Sequence, residues 1–144
     1  MEKILILSVL FHMATAEMVA YSDEKTFDDA FAFCAGKGQR LARIDDADDN
    51  DAALQAITDN GADISFWIDA KTTDGDQLET NNGIELTYSN FASGEPTGNG
   101  PCIQLWKDRS YDFDDVAVTQ IEDSSVKRYL HQYFTSKGVM EDTL

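Results

Sequence analysis

The sequence predicts one α+β domain, in which two helices precede a set of short strands and a long polar loop. Three observations lead there. Phe27, Ala30, Phe31 and Cys34 recur at helical spacing, and Ala53, Leu54 and Ile57 do so again further on. Ser65-Phe66-Trp67-Ile68-Asp69-Ala70 and the runs 101–107 and 111–116 have the composition of strands. Between them, residues 71–100 are rich in Thr, Asp, Asn and Gly, and a loop of that length inside a compact domain usually carries function. A chain of 144 residues, 42% of them hydrophobic, is long enough to bury one core.

The elements follow in order. Lys3, the apolar run 4–11 and Ala14-Thr15-Ala16 have the three-part pattern of a signal peptide over residues 1–16. The run is too short to span a membrane; the alternative is a buried first strand. The pattern predicts a secreted protein beginning near Glu17, with a domain over 17–118 and a first strand at 17–22. Thr26 with Asp29 forms a capping box in which Asp replaces the usual Glu or Gln, and Gly36 and Gly38 stop that helix. Leu41-Ala42-Arg43-Ile44 is a short strand or link. The acidic run 45–51 lacks the glycine and spacing of an EF-hand loop, and reads as the first turn of the second helix, ended by Asn60-Gly61. Leu86, Tyr88 and Phe91 are placed to pin the long loop to the core, and 101–107 pairs with 111–116 as a hairpin turning near Asp108-Arg109-Ser110. In the tail, 119–144, the residues Val126, Tyr129, Leu130, Tyr133 and Phe134 share one helical face and predict an amphipathic helix.

A net charge of −16 argues against a nucleic-acid partner, whose phosphates it would repel, and suits cations; most of the acids simply keep the surface soluble. No nucleophile arrangement, phosphate loop or zinc spacing accompanies His12 or His131, so no enzyme is predicted. The sharpest feature is a pair of acidic clusters, Glu95-Pro96-Thr97 and Asp114-Asp115, flanking Cys102-Ile103-Gln104-Leu105-Trp106. Ca²⁺ takes several oxygen ligands, and a proline turn beside a strand can aim these groups at one point. Asp112 is the alternative ligand if the hairpin register shifts. Trp67 reads as core, and Trp106 as either core or an exposed ring.

Taken in order, several short runs resemble the C-type lectin domain family. They are the helix 27–34, Gly38-Gln39-Arg40-Leu41-Ala42-Arg43-Ile44, Phe66-Trp67-Ile68-Asp69-Ala70, Tyr88-Ser89-Asn90-Phe91, Gly94-Glu95-Pro96-Thr97 and Phe113-Asp114-Asp115-Val116. The likeness covers 17–116 and is nearest in appearance to small tunicate lectins that bind galactose. It implies a C-type lectin-like fold with small antiparallel sheets, a cis Pro96, and Ca²⁺ held by Glu95, Thr97, Asp114 and Asp115. Two sugar hydroxyls would then bind the Ca²⁺, with Glu95, Asp114, Asp115 and Trp106 contacting a galactose-type sugar. Glu before Pro is the mannose-type choice in much of the family, so mannose stays open. One small contact implies weak binding, reinforced by avidity in a homo-oligomer. The alternative is a protein-interaction or mineral-associated module that binds no sugar.

Three departures stand out. Thr97 replaces the usual Asn or Asp, and Gly100-Pro101 stands where many members have a carboxylate. Cys34 and Cys102 match the family's first and second core cysteines, whose partners this chain lacks, which implies two unpaired thiols that invite intermolecular pairing. The closing strand of the family is also missing from the sequence after Val116, leaving the tail helix to cover the gap.

Overall fold

The computed structural model describes residues 15–74, 76–117 and 127–135. The charged start and apolar run of the expected signal peptide lie outside these residues, while Thr15 and Ala16 open the first strand. In chain order the elements are β1 (Thr15–Lys25), α1 (Phe27–Gly36), β2 (Arg40–Leu41), α2 (Ala47–Asn60), β3 (Phe66–Thr72), β4 (Leu78–Glu79), β5 (Glu85–Leu86), β6 (Cys102–Trp106), β7 (Asp112–Val116) and β8 (Lys127–Thr135).

Both helices form where the spacing predicts, and their caps explain the boundaries. Thr26 accepts the amide of Asp29 at 3.2 Å to open α1. For α2, Asp46 accepts the amide of Asp49 at 2.8 Å while Asp49 reaches back to the amide of Asp45 at 2.9 Å, a reciprocal box that accounts for the acidic run. Gly61, at φ 75°, ends α2 in the left-handed conformation that glycine adopts without steric cost.

The strands form one hydrogen-bonded network in the order β1-β8-β3-β4-β5, with β2 on β8, β6 on β3 and β7 on β6. The β6–β7 hairpin forms as expected, and its register pairs Gln104 with Asp114 and Trp106 with Asp112. A 3-10 turn, Lys107–Arg109, joins the two strands, with Ser110 and Tyr111 both at positive φ.

The tail differs from expectation. In place of an amphipathic helix, Lys127–Thr135 is a strand, antiparallel to β1 and parallel to β3. The expected loss of the closing strand is therefore corrected, since β8 fills that slot. Its aromatic residues suit a strand as readily as a helix, so side-chain spacing alone did not decide. The backbone did: β1 and β3 flank a gap whose N–H and C=O groups only an extended segment can satisfy. Val126 and 136–144, also part of the helical expectation, lie outside the described residues.

Two apolar clusters fill the interior. The larger gathers Ile44, Ile57, Phe66, Ile68, Ile103, Leu105 and Phe113, and Tyr88 and Phe91 pack against it as expected, pinning the long loop. The smaller holds Phe27, Ala30, Cys34, Leu41, Trp67 and Cys102. Phe27 meets Trp67 edge-on with ring centroids 5.8 Å apart, and the Trp67 indole N–H donates to the Lys25 carbonyl. Both thiols are free and fully buried, and burial pushes them up to about 11 (Cys34) and about 12 (Cys102). Intermolecular disulfide exchange therefore finds neither an exposed sulfur nor a thiolate in the folded chain.

Candidate functional site

The chain between β5 and β6 brings Glu95 back against the end of β7. Phe113 anchors this approach: its amide donates to the Asn90 carbonyl at 2.8 Å, and its carbonyl accepts the Ala92 amide at 3.0 Å. The Glu95–Pro96 peptide is cis. Carboxylate oxygens of Glu95, Asp114 and Asp115 come within 4.8 Å of one another, the spacing of groups able to share one cation. Asp114 and Asp115 are buried and Glu95 half-buried.

Amide donors hold the group in place. The Thr97 N–H donates to Asp115 Oδ1 at 2.8 Å and to Glu95 Oε2 at 3.0 Å, and the Gly100 N–H reaches Asp115 Oδ2 at 3.4 Å. Thr97 thus joins the cluster through its backbone, with its side chain on the exposed rim. A Cβ at Gly100 would collide with the Ala117 backbone, so a side chain at this position would require the backbone to shift. The titrations of Glu95 and Asp115 diverge. Burial, the hydrogen bond shared with Asp115 and the charge of Asp114 push the Glu95 carboxyl above its ordinary range. Burial also works against ionised Asp115, but the Thr97 N–H, the bond from Glu95 and the amides of Gly100 and Gly98 outweigh it and hold this carboxyl low.

The structure brings Glu95, Thr97, Asp114 and Asp115 together and leaves Asp112 out, since Asp112 accepts the Asn90 side-chain amide at 2.9 Å. Trp106 is half-buried at the end of β6, and the Arg109 guanidinium lies 5.2 Å from its ring centroid. One residue escaped the sequence reading. Gln104 is buried, its Nε2 donates to Asp114, and its Oε1 has no hydrogen-bond partner. The signal was present, because a lone polar residue inside Cys102–Trp106 shares the face of Trp106 by strand alternation and lies opposite Asp114.

Residues 23–126 match the model of the family described as the lectin C-type domain. The match runs past Val116, where the sequence resemblance had been read to stop. The chain is similar to porcine (Sus scrofa) pulmonary surfactant-associated protein D, 32% identical over 60% of this chain and 26% of that protein. It is 28% identical to a perlucin-like protein of Mytilus galloprovincialis over 65% of this chain and 64% of the other, so it spans less than two thirds of either relative. Among solved structures, TC14, a C-type lectin from the tunicate Polyandrocarpa misakiensis, superposes with a TM-score of 0.65 at 20% identity, over 83% of this chain and 98% of that one. Among the described residues no helix is long and apolar enough to cross a membrane.

Proposed function

Because this chain belongs to the C-type lectin domain family, a family of binding proteins and not of enzymes, we propose that it is a secreted, Ca²⁺-dependent lectin for galactose-type terminal sugars. The observation that carries this reading is the convergence of three carboxylates within 4.8 Å beside the buried, unpartnered Gln104 Oε1. Three such groups repel one another unless a proton or a cation lies between them. An all-oxygen set suits a hard cation such as Ca²⁺, which takes six to eight oxygens and would leave positions for water or ligand. Glu95, Asp114 and Asp115 would hold it, with a Thr97 oxygen as the candidate fourth ligand. When bound, Ca²⁺ would supply coordination positions for two neighbouring sugar hydroxyls. The carboxylates would accept hydrogen bonds from those hydroxyls, and the amides of Thr97 and Gly100 keep Asp115 oriented for either task.

Galactose is favoured over mannose by Trp106, whose ring can cover the apolar face of the sugar. Arg109 lies against that ring, so stacking requires the opposite face or movement of the guanidinium. The test is retention on immobilised galactose in millimolar Ca²⁺, with elution by chelator, by free galactose and by free mannose. Release by chelator and galactose supports the proposal, while release by mannose alone overturns the choice of sugar. A folded protein that passes straight through both galactose and mannose resins is instead an interaction or mineral-associated module.

A further inference from the structure

A cleft of about 170 Å³ lies between the C-terminal half of α1, β2, β3 and the turn joining β4 to β5. None of Glu95, Thr97, Asp114 or Asp115 lines it. Its lining holds Arg40, Arg43, Asp69 and Asn82, with Phe31 and Ile84 as apolar neighbours. Backbone bonds fix these parts. The Asp69 N–H donates to the Ala42 carbonyl at 2.7 Å, which ties β3 to the segment that carries both arginines. Asp69 Oδ1 accepts the Asn81 N–H at 2.8 Å. The turn closes on Thr80, whose N–H donates to the Ile84 carbonyl at 2.8 Å and whose Oγ1 accepts the Ile84 N–H at 3.0 Å. Arg43 Nε donates to Asp45 Oδ2 at 2.9 Å.

Two guanidinium groups thus share a small cleft with a carboxylate that is only 6% exposed. Burial pushes the Asp69 carboxyl up, against the Asn81 N–H and the charges of Arg40, Arg43 and Lys71. Burial and the Arg43 charge lower Arg40, against Asp45, Asp69 and Asp49. Burial is the largest effect on each, so the charges already present do not replace the water that both groups gave up. An ionised carboxylate can accept about four hydrogen bonds, and one amide on Oδ1 leaves capacity for more. An anion alone meets Asp69, a cation alone meets two guanidinium groups, and a neutral sugar leaves both signs of charge unanswered. A zwitterion answers both. Ile84, 52% exposed, adds an apolar surface beside the charges. The volume, below the ~300–1,000 Å³ of drug-sized sites, admits one small molecule. We propose that this cleft binds a free α-amino acid with an apolar side chain. Its carboxylate lies on Arg40 and Arg43, its ammonium on Asp69 and its side chain against Ile84. The site needs no Ca²⁺ and is independent of the lectin reading.

The experiment titrates the chain, in chelator and again in Ca²⁺, with leucine, N-acetylleucine and leucine methyl ester. Leucine is expected to bind one to one with the same affinity in both conditions. Each blocked form should bind about tenfold or more weakly, the worth of one charge-assisted hydrogen bond. Asp69→Asn keeps an acceptor for the Asn81 N–H. It should weaken leucine to the level of N-acetylleucine without lowering the binding of N-acetylleucine itself. Arg40→Gln and Arg43→Gln should weaken leucine without lowering the methyl ester. Near-UV circular dichroism and protection of the two buried thiols establish that each variant is folded. The blocked ligands are read on the unaltered chain, so they decide the matter even where a variant does not fold. Absence of saturable leucine binding overturns the proposal. So does N-acetylleucine binding as tightly as leucine, which would make the cleft a plain anion pocket, or the methyl ester doing so, which would make it a cation pocket.

Discussion

The small cluster around Trp67 and the carboxylate group around Asp115 lie on adjoining parts of the same sheet, yet they are held by different forces. Around Trp67, Phe27, Leu41 and the two thiols pack with no exposure, and the polar indole N–H has its acceptor. Nothing there is left for a ligand to complete. Around Asp115, amide donors aim like charges at one another, one carboxyl is driven up and its neighbour down, and a buried Gln104 oxygen lacks a partner. The first region is finished by folding; the second, on the proposed reading, by what it binds. The same contrast bears on the cysteines. Where the resemblance implies cysteines with disulfide partners, this chain keeps both sulfurs as small apolar groups inside a packed cluster.

The contrast can be broken most forcefully at Trp67. Trp67→Ala should cost about 3–5 kcal/mol, as large-to-small core changes do, measured by denaturant unfolding and equal with and without Ca²⁺. In the same experiment both native thiols should resist a thiol reagent until unfolding, and react sooner in the variant. If the loss depends on Ca²⁺, the two regions are coupled.

Next comes the cation. Saturating Ca²⁺ at about a hundredfold over its Kd should raise stability by ~2.7 kcal/mol, seen as an upward shift in Tm that chelator reverses. Asp114→Asn or Glu95→Gln should shrink the shift. An unchanged Tm in folded protein would remove Ca²⁺ from the account.

A smaller effect should follow pH. Without metal, the raised Glu95 carboxyl contributes stability that is present in acid and lost as pH rises through its folded pKa, while depressed Asp115 contributes stability lost only as pH falls through its own, lower one. Ca²⁺ requires Glu95 ionised, so Ca²⁺ affinity should weaken as pH falls into and just above the usual Glu range, with proton release on binding detectable by calorimetry in two buffers. Pairing that is independent of buffer would argue that Glu95 is already ionised.

The smallest change lies far from both regions. Thr26→Ala removes the cap of α1 and should cost ~1 kcal/mol, with Ca²⁺ and sugar binding untouched. Lost ligand binding here would show that α1 supports the site.

Much of this was legible in the residues. The cap at Thr26, the acidic first turn and glycine end of α2, and the β6–β7 hairpin are local matters of spacing and stereochemistry, and they emerged where the sequence placed them. The meeting of Glu95 with Asp114 and Asp115 was suggested by a proline turn beside an acidic strand and made specific by a resemblance, since nothing local joins a loop to a strand that far along the chain. Gln104 was passed over because it is an uncharged residue in an apolar strand, and its meaning depends on its cross-strand neighbour. The tail was misread for the opposite reason: a local pattern was followed where a distant gap in the sheet decided.

That gap has a consequence for biosynthesis. Thr15 pairs with Thr135, and β8, the last described strand to leave the ribosome, inserts between β1 and β3 instead of adding to an edge. Until it arrives, a nascent chain holding all the other strands exposes two open strand edges facing an empty slot, the kind of surface that recruits other chains. Closure also spans nearly the whole described sequence, a topology that folds slowly. The vulnerable interval for this protein is therefore the time before β8 emerges, when the body is built and the strand between β1 and β3 is still missing.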